Sequence, residues 1–306
     1  MGRSGILVVD KGAGVTSFQV VAHLRRLLRA GKVGHGGTLD PEATGVLVVL
    51  INEATKLTPY LVDHDKEYVA TVRLGIVTDT QDLTGVVLRT APVPPLTAEE
   101  IRSALAPFVG TIRQVPPMFS ALHHDGRRLY ELARRGMEVE REPREVSVRA
   151  LCLESVALPS FTLRIVCGRG TYVRTLSADL GQALGPGAAL ERLIRTRVGP
   201  YTLESALPWS RLSDARDGAF VWDHLLPTDS ALAHRPSVTL EPAESEALLH
   251  GRAVPLPPAA LDARGDVRLY TAGEFLGVGR VVEGGGVVKP ERILHGDRPR
   301  PRVLPA

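Results

Sequence analysis

The sequence predicts an α+β fold, in which strands and helices mix without a regular alternation of the two. Three stretches carry that reading. Val46, Leu47, Val48, Val49, Leu50 and Ile51 form an unbroken apolar run between Gly45 and Asn52, too short to span a membrane and of the right length for a buried strand. Residues 66–75 alternate as a half-buried strand does, with Tyr68, Ala70, Val72 and Leu74 on one face. Val20, Val21, Leu24, Leu27 and Leu28 recur at helical spacing. At 306 residues, with 44% hydrophobic and 23% charged side chains, the chain is long enough for a sizeable core and for two domains.

Taken in order, residues 6–10 read as a strand, residues 11–14 as a turn, and Thr16-Ser17 as the cap of the helix that ends at Gly31. Arg25, Arg26 and Arg29 lie off its apolar stripe and give it a basic outer face. A glycine-rich loop at 34–45 precedes the buried strand. After the strand at 66–75, a polar turn at 78–85 leads to a strand at 85–90, and Thr97-Ala98-Glu99-Glu100 is a capping box for a helix ending near Gly110. Residues 114–126 are too rich in proline for a central strand. A helix over 127–135 turns Leu129, Leu132 and Ala133 one way, and strands follow at 145–157 and 161–168. Gly168-Arg169-Gly170-Thr171-Tyr172 is a strand-to-helix turn whose unpaired N–H groups suit an anion, and Val173, Leu176, Leu180 and Leu184 face inward from the helix that ends at Gly185. Between 205 and 235 the pattern is irregular and punctuated by Pro208 and Pro227, which places a domain boundary there: 1–230 and 231–306. The second part predicts a helix over 241–250 and strands near 267–271, 275–282 and 286–289.

The composition narrows the chemistry. No signal-peptide core or membrane-length apolar run is present, so the expectation is a cytoplasmic protein with no membrane contact. Cys152 and Cys167 are the only cysteines and read as small core residues rather than a disulfide framework. His123 and His124 lack a third ligand, and no metal is expected. The net charge of +3 is mild, but only five of the 37 basic residues are lysines, and arginine's planar fork suits phosphates and bases. The 34–45 loop lacks the ending of a phosphate-binding P-loop and the spacing of a dinucleotide fingerprint, so nucleotide hydrolysis is disfavoured. Within that loop Asp40 stands out. Its glycines allow close approach of a ligand, and Pro41 restricts where the carboxylate points. A free aspartate has a pKa of about 3.9 and is an anion at neutral pH.

Several motifs in order resemble the bacterial TruB-type tRNA pseudouridine synthases over nearly the whole chain. They are Asp10-Lys11 with Gly14-Val15-Thr16-Ser17; Gly34-His35-Gly36-Gly37-Thr38-Leu39-Asp40-Pro41 with Ala43-Thr44-Gly45; Lys66-Glu67-Tyr68; residues 114–126; Gly170-Thr171-Tyr172-Val173-Arg174; Leu193-Ile194-Arg195-Thr196; and, at the end, Gly277-Val278-Gly279 with Lys289-Pro290-Glu291-Arg292. Gly12 replaces the family's usual proline and Phe119 its usual tyrosine. The resemblance implies a pseudouridine synthase fold, a mixed and mainly antiparallel central sheet flanked by helices, closed by a small β-rich PUA-like domain. It implies isomerisation of a uridine in the T-loop of tRNA, at position 55, without a cofactor and by a monomer. Asp40 is then the catalytic carboxylate, acting by attack on sugar or ring or by removal of a sugar proton. Tyr68 stacks on the flipped base, Arg174 pairs with Asp40, His35 supports the rearranged loop or a phosphate, and Leu193 forms an apolar wall. Lys11, Lys32, Arg127, Arg128 and Arg169 are candidates for RNA contact. The competing reading is a tRNA-folding module in which catalysis is secondary.

Overall fold

The computed structural model describes residues 3–282 and 284–294. From the N-terminus, β1 (Gly5–Lys11) leads to α1 (Ser17–Leu27), whose N-cap Thr16 forms a capping box with Gln19. β2 (Val33–His35) and β3 (Thr44–Ile51) flank the glycine-rich loop, and α2 (Thr58–Val62) follows. Then come β4 (Lys66–Leu74), the hairpin of β5 (Ile76–Thr78) and β6 (Val87–Thr90), α3 (Ala98–Leu105) and β7 (Gly110–Gln114). A short hairpin, β8 (His123–His124) with β9 (Arg127–Arg128), precedes α4 (Leu129–Ala133), so the predicted helix over 127–135 begins only after its two arginines. β10 (Arg144–Ala157), β11 (Ser160–Cys167), α5 (Val173–Leu184) and β12 (Ala188–Val198) complete the middle of the chain. β13 (Tyr201–Thr202), β14 (Leu207–Pro208), α6 (Trp209–Ser213) and α7 (Ala219–Asp223) follow. β15 (Ser237–Thr239), α8 (Pro242–Leu249), β16 (Val254–Pro255), β17 (Asp266–Thr271), β18 (Glu274–Val281) and β19 (Val287–Ile293) end the described chain.

The described residues divide into two compact units: those within 1–40, 47–62 and 204–306 form the first, and residues 41–46 and 63–203 the second. In the first, strands run in the order β14, β1, β3, with β2 antiparallel to β3. Leu47, Leu50 and Ile51 of the predicted apolar run are fully buried, as a strand covered on both faces requires. The same unit holds a five-stranded sheet in the order β15, β17, β18, β19, β16, packed around Val238, Leu248, Val267, Leu269 and Val288. Its helix and three longer strands stand where the sequence predicts them.

The second unit is a mainly antiparallel sheet in the order β12, β4, β11, β10, β7. Thr44 and Gly45, at the start of β3, add a parallel pairing, against Ile194 and Arg195 of β12. Ala70, Val72 and Leu163 of this sheet and Leu176 and Leu180 of α5 are fully buried, and α5 packs on β12. Gly185 ends α5 with a φ of +105°. The expected α+β class holds. β12 is a strand where none was predicted, and one expectation is corrected: Cys152 is exposed on β10 rather than a core residue, whereas Cys167 is buried. Burial pushes the Cys167 thiol up to about 11, which keeps it protonated and inert.

Candidate active site

In the first unit the glycine-rich loop is fastened residue by residue. His35 pairs with Val49 in the ladder, and the next backbone N–H, that of Gly36, donates to Val48 O at 2.9 Å. A Cβ on Gly36 would meet Leu61 at 2.9 Å, so glycine lets the loop lie against α2. Gly37 donates its N–H to His35 Nδ1 at 3.3 Å. A reciprocal fastening lies immediately before Asp40: Leu39 N–H donates to Ser17 Oγ at 2.9 Å, and the same hydroxyl donates back to Leu39 O at 3.1 Å. Ser17 and Leu39 are both buried, so this reciprocal pair is shielded from water. Asp40 follows as a half-buried residue, with Pro41 restricting its backbone from the other side.

Lys11 does not face solvent. It is fully buried, and its Nζ donates to Gly12 O at 2.9 Å and Val15 O at 2.8 Å, closing the turn that delivers Thr16 and Ser17 to the start of α1. This corrects the expectation of an RNA-facing lysine: a buried ammonium bonded to carbonyls is an architectural group. Ser17 was read only as part of a cap, and no pattern in the sequence marks it as the residue that grips Leu39.

In the second unit Tyr68 sits on β4 opposite Arg195 of β12 and Ile165 of β11, while Leu193 lies opposite Ala70. Directly opposed residues of antiparallel strands point to the same face, so Tyr68 and Leu193 share a face as diagonal neighbours. Glu67, one residue along, points to the other face. There its carboxylate accepts Thr196 Oγ1 at 2.8 Å and Arg164 Nη1 at 2.9 Å and faces Arg197 Nη2 at 3.5 Å. Desolvation, the largest single influence, pushes its pKa up, but the bonds from Thr196 and Arg164 and the nearby charge of Arg197 together outweigh it and hold the pKa below the usual carboxylate range.

Arg174 lies in the first turn of α5 and is nearly fully buried. Its Nη1 donates to Thr80 O at 3.0 Å and its Nη2 to Phe119 O at 2.8 Å, and its Nε lies 4.0 Å from Asp82 Oδ2. It therefore ties the turn after β5 to the proline-rich segment. The predicted anion site at the start of α5 is partly filled by protein: Tyr172 N–H donates to Gln114 Oε1 at 3.1 Å, and Gln114 Nε2 donates to Tyr172 O at 3.3 Å.

Among the RNA-contact candidates, Lys32, Arg127, Arg128 and Arg169 are exposed. Arg169 is engaged by Asp63 at 2.9 Å. No group of three or more possible metal ligands occurs among the described residues, and no described helix is long and apolar enough to cross a membrane.

Matches to family models lie between residues 25 and 294. Residues 25–173 match the model of the TruB family pseudouridylate synthase N-terminal domain, 174–233 the tRNA pseudouridylate synthase B C-terminal domain, and 236–294 the C-terminal region of pseudouridine synthase II TruB. Proteins called tRNA pseudouridine synthase B are similar throughout. That of Chromohalobacter salexigens is 46% identical over 95% of this chain and 94% of its own, and that of Burkholderia mallei 48% identical over 95% and 96%. Among solved structures, a Cbf5–Nop10–Gar1 complex contains a chain with a TM-score of 0.70 and 27% identity, covering 95% of this chain and 84% of that one. An archaeal box H/ACA Nop10–Cbf5 complex gives 0.71 and 25%, over 98% and 89%.

Proposed function

The chain belongs to the TruB family of pseudouridine synthases, and we propose that it isomerises uridine to pseudouridine in the T-loop of tRNA, at position 55, working in the cytoplasm as a single chain. The reaction exchanges the N1–C1′ bond of the nucleoside for a C5–C1′ bond; C5 loses a proton and N1 gains one, with no net redox change. An anionic carboxylate held still beside an extruded nucleoside is what the chemistry asks of the protein. The observation that best supports Asp40 in that role is the reciprocal Ser17–Leu39 bond, which immobilises the backbone one residue before it.

A base inside a folded loop must first leave its stack, at a cost of a few kcal/mol. Stacking on an aromatic ring returns about 1–3 kcal/mol, which is enough to offset much of that cost. Tyr68 is the proposed ring, with Leu193 beside it as apolar wall. Arg174 would sustain the charge of the carboxylate, and His35 would support the displaced nucleotides. The 231–306 region is proposed as a PUA-like module that grips the acceptor side of the tRNA.

The test uses an unmodified tRNA transcript and maps any pseudouridine formed. Wild-type protein is expected to convert position 55. Asp40→Asn, which keeps the shape and removes the charge, is expected to form none while still binding the tRNA. Substantial turnover by that variant would remove Asp40 from the chemistry, and a modified residue elsewhere would displace the substrate assignment.

A further inference from the structure

β12 contains two arginines two residues apart, Arg195 and Arg197, which in a regular strand would share a face. Here they do not. Arg195 pairs with Tyr68 and Arg197 with Glu67, so two adjacent residues of β4 face two residues of β12 that are not adjacent. Thr196 is the extra residue of a β-bulge, a device that re-aims side chains beside functional sites. The bulge is clamped: Thr196 Oγ1 donates to Glu67 Oε1 at 2.8 Å and lies 3.3 Å from Glu67 O. Glu67 also receives Arg164 of β11, so the clamp joins β4, β11 and β12 at one level.

The consequence is that Arg195 turns into the protein while Arg197 meets Glu67 on the opposite face. Arg195 is only 2% exposed, and its Nε donates to Val46 O at 2.7 Å. Val46 lies one residue past the last ladder pair between β3 and β12, where Gly45 stands against Arg195. The guanidinium thus supplies a rung that the backbone ladder no longer provides. The two chains are also in close contact at that pair: Gly45 has a φ of +98°, and a Cβ there would lie 2.2 Å from Arg195 O. Asp40 is five residues before Gly45 in the chain.

We propose that Arg195 is a positioning residue for the isomerisation: it fixes the end of the loop that bears Asp40, and the Thr196 bulge clamped by Glu67 directs it there. The inference rests on Asp40 being the catalytic carboxylate. It assigns Arg195 no contact with the RNA, so its loss must appear in the chemical step and leave tRNA binding alone. Lysine cannot reproduce a fixed, planar Nε donor. A displacement of about 1 Å in a reacting group costs about 100-fold in rate.

The experiment measures single-turnover rates and tRNA Kd for Arg195→Lys, Thr196→Val and Thr196→Ser, beside Asp40→Asn, with Tm for each variant. Arg195→Lys and Thr196→Val are expected to lose about 100-fold in rate with unchanged Kd, and Thr196→Ser, which restores the hydroxyl, to regain most of it. Wild-type rates in both, a rate loss that follows Kd, or no rescue by serine would overturn the proposal. If Asp40→Asn alone retains turnover, the catalytic assignment fails instead. If Asp40→Asn is dead and Arg195→Lys is normal, only the positioning role falls.

Discussion

At the residue scale, two buried lysines show how differently the fold uses one side chain. Lys11 closes a turn with its ammonium on two carbonyls. Lys66 lies at the start of β4 and donates to His64 O at 2.6 Å; burial first, and Arg195 second, bring its pKa down to about 8. Because the unfolded chain holds that proton up to a pKa of 10.5, it binds more protons than the folded chain from about pH 8 to 10.5, and Lys66 makes stability rise with pH there. Cys167 opposes it over a higher window: its folded pKa of about 11 against a reference of 9.0 makes stability fall as pH rises from about 9 to 11. The interval from pH 8 to 9 therefore isolates Lys66. In denaturant titrations across that interval, wild type is expected to gain stability relative to Lys66→Met by at most about 1.4 kcal/mol. Parallel curves for the two proteins would show that the buried ammonium keeps its ordinary affinity for a proton.

At the scale of elements, what could be read in advance depended on whether a strand kept its period. β4 alternates without interruption, and its inward set of Ala70, Val72 and Leu74 is buried as predicted. The N-terminal cap of α1 and the capping box of α3 are local chemistry and also stand where the sequence puts them. β12 escaped notice because its pairing with β4 shifts twice, between Leu190 and Arg192 and again between Arg195 and Arg197, which erases the two-residue alternation. The same irregularity hid Arg195, since an arginine in a charged, aperiodic run reads as a surface residue. Asp40 was visible because glycines and a proline surround it; the Ser17 grip was not, because it joins residues 22 apart in sequence. β12 also shows how tightly helix and strand are fitted. A Cβ on Gly181 of α5 would lie 2.1 Å from Ala188 N, closer than packing permits. Gly181→Ala is expected to destabilise the protein by about 1–3 kcal/mol despite alanine's better helix propensity. Unfolding midpoints at unchanged denaturant slope measure this, and a stabilised variant would mean that α5 shifts off β12 freely.

At the scale of the whole molecule, a net charge of +3 is too small to account for tRNA affinity by itself, so the placement of cations has to do so. Arg127 and Arg128 are exposed on the β9 strand, whereas Arg169 spends part of its charge on Asp63. Each phosphate contact to a basic side chain releases counterions and steepens the dependence of log K on log salt by about 0.7–0.9. Replacing Arg127 and Arg128 together by alanine is therefore expected to reduce that slope by about 1.4–1.8, weaken binding similarly for any tRNA sequence, and leave the rate at saturating tRNA unchanged. Arg169→Ala should change the slope less, because removing it frees a carboxylate while losing a cation already partly neutralised. Filter binding over a range of salt concentrations reads both effects. An unchanged slope in the double variant would place the phosphate-binding face elsewhere on the molecule and leave the β8–β9 hairpin without a role in RNA contact.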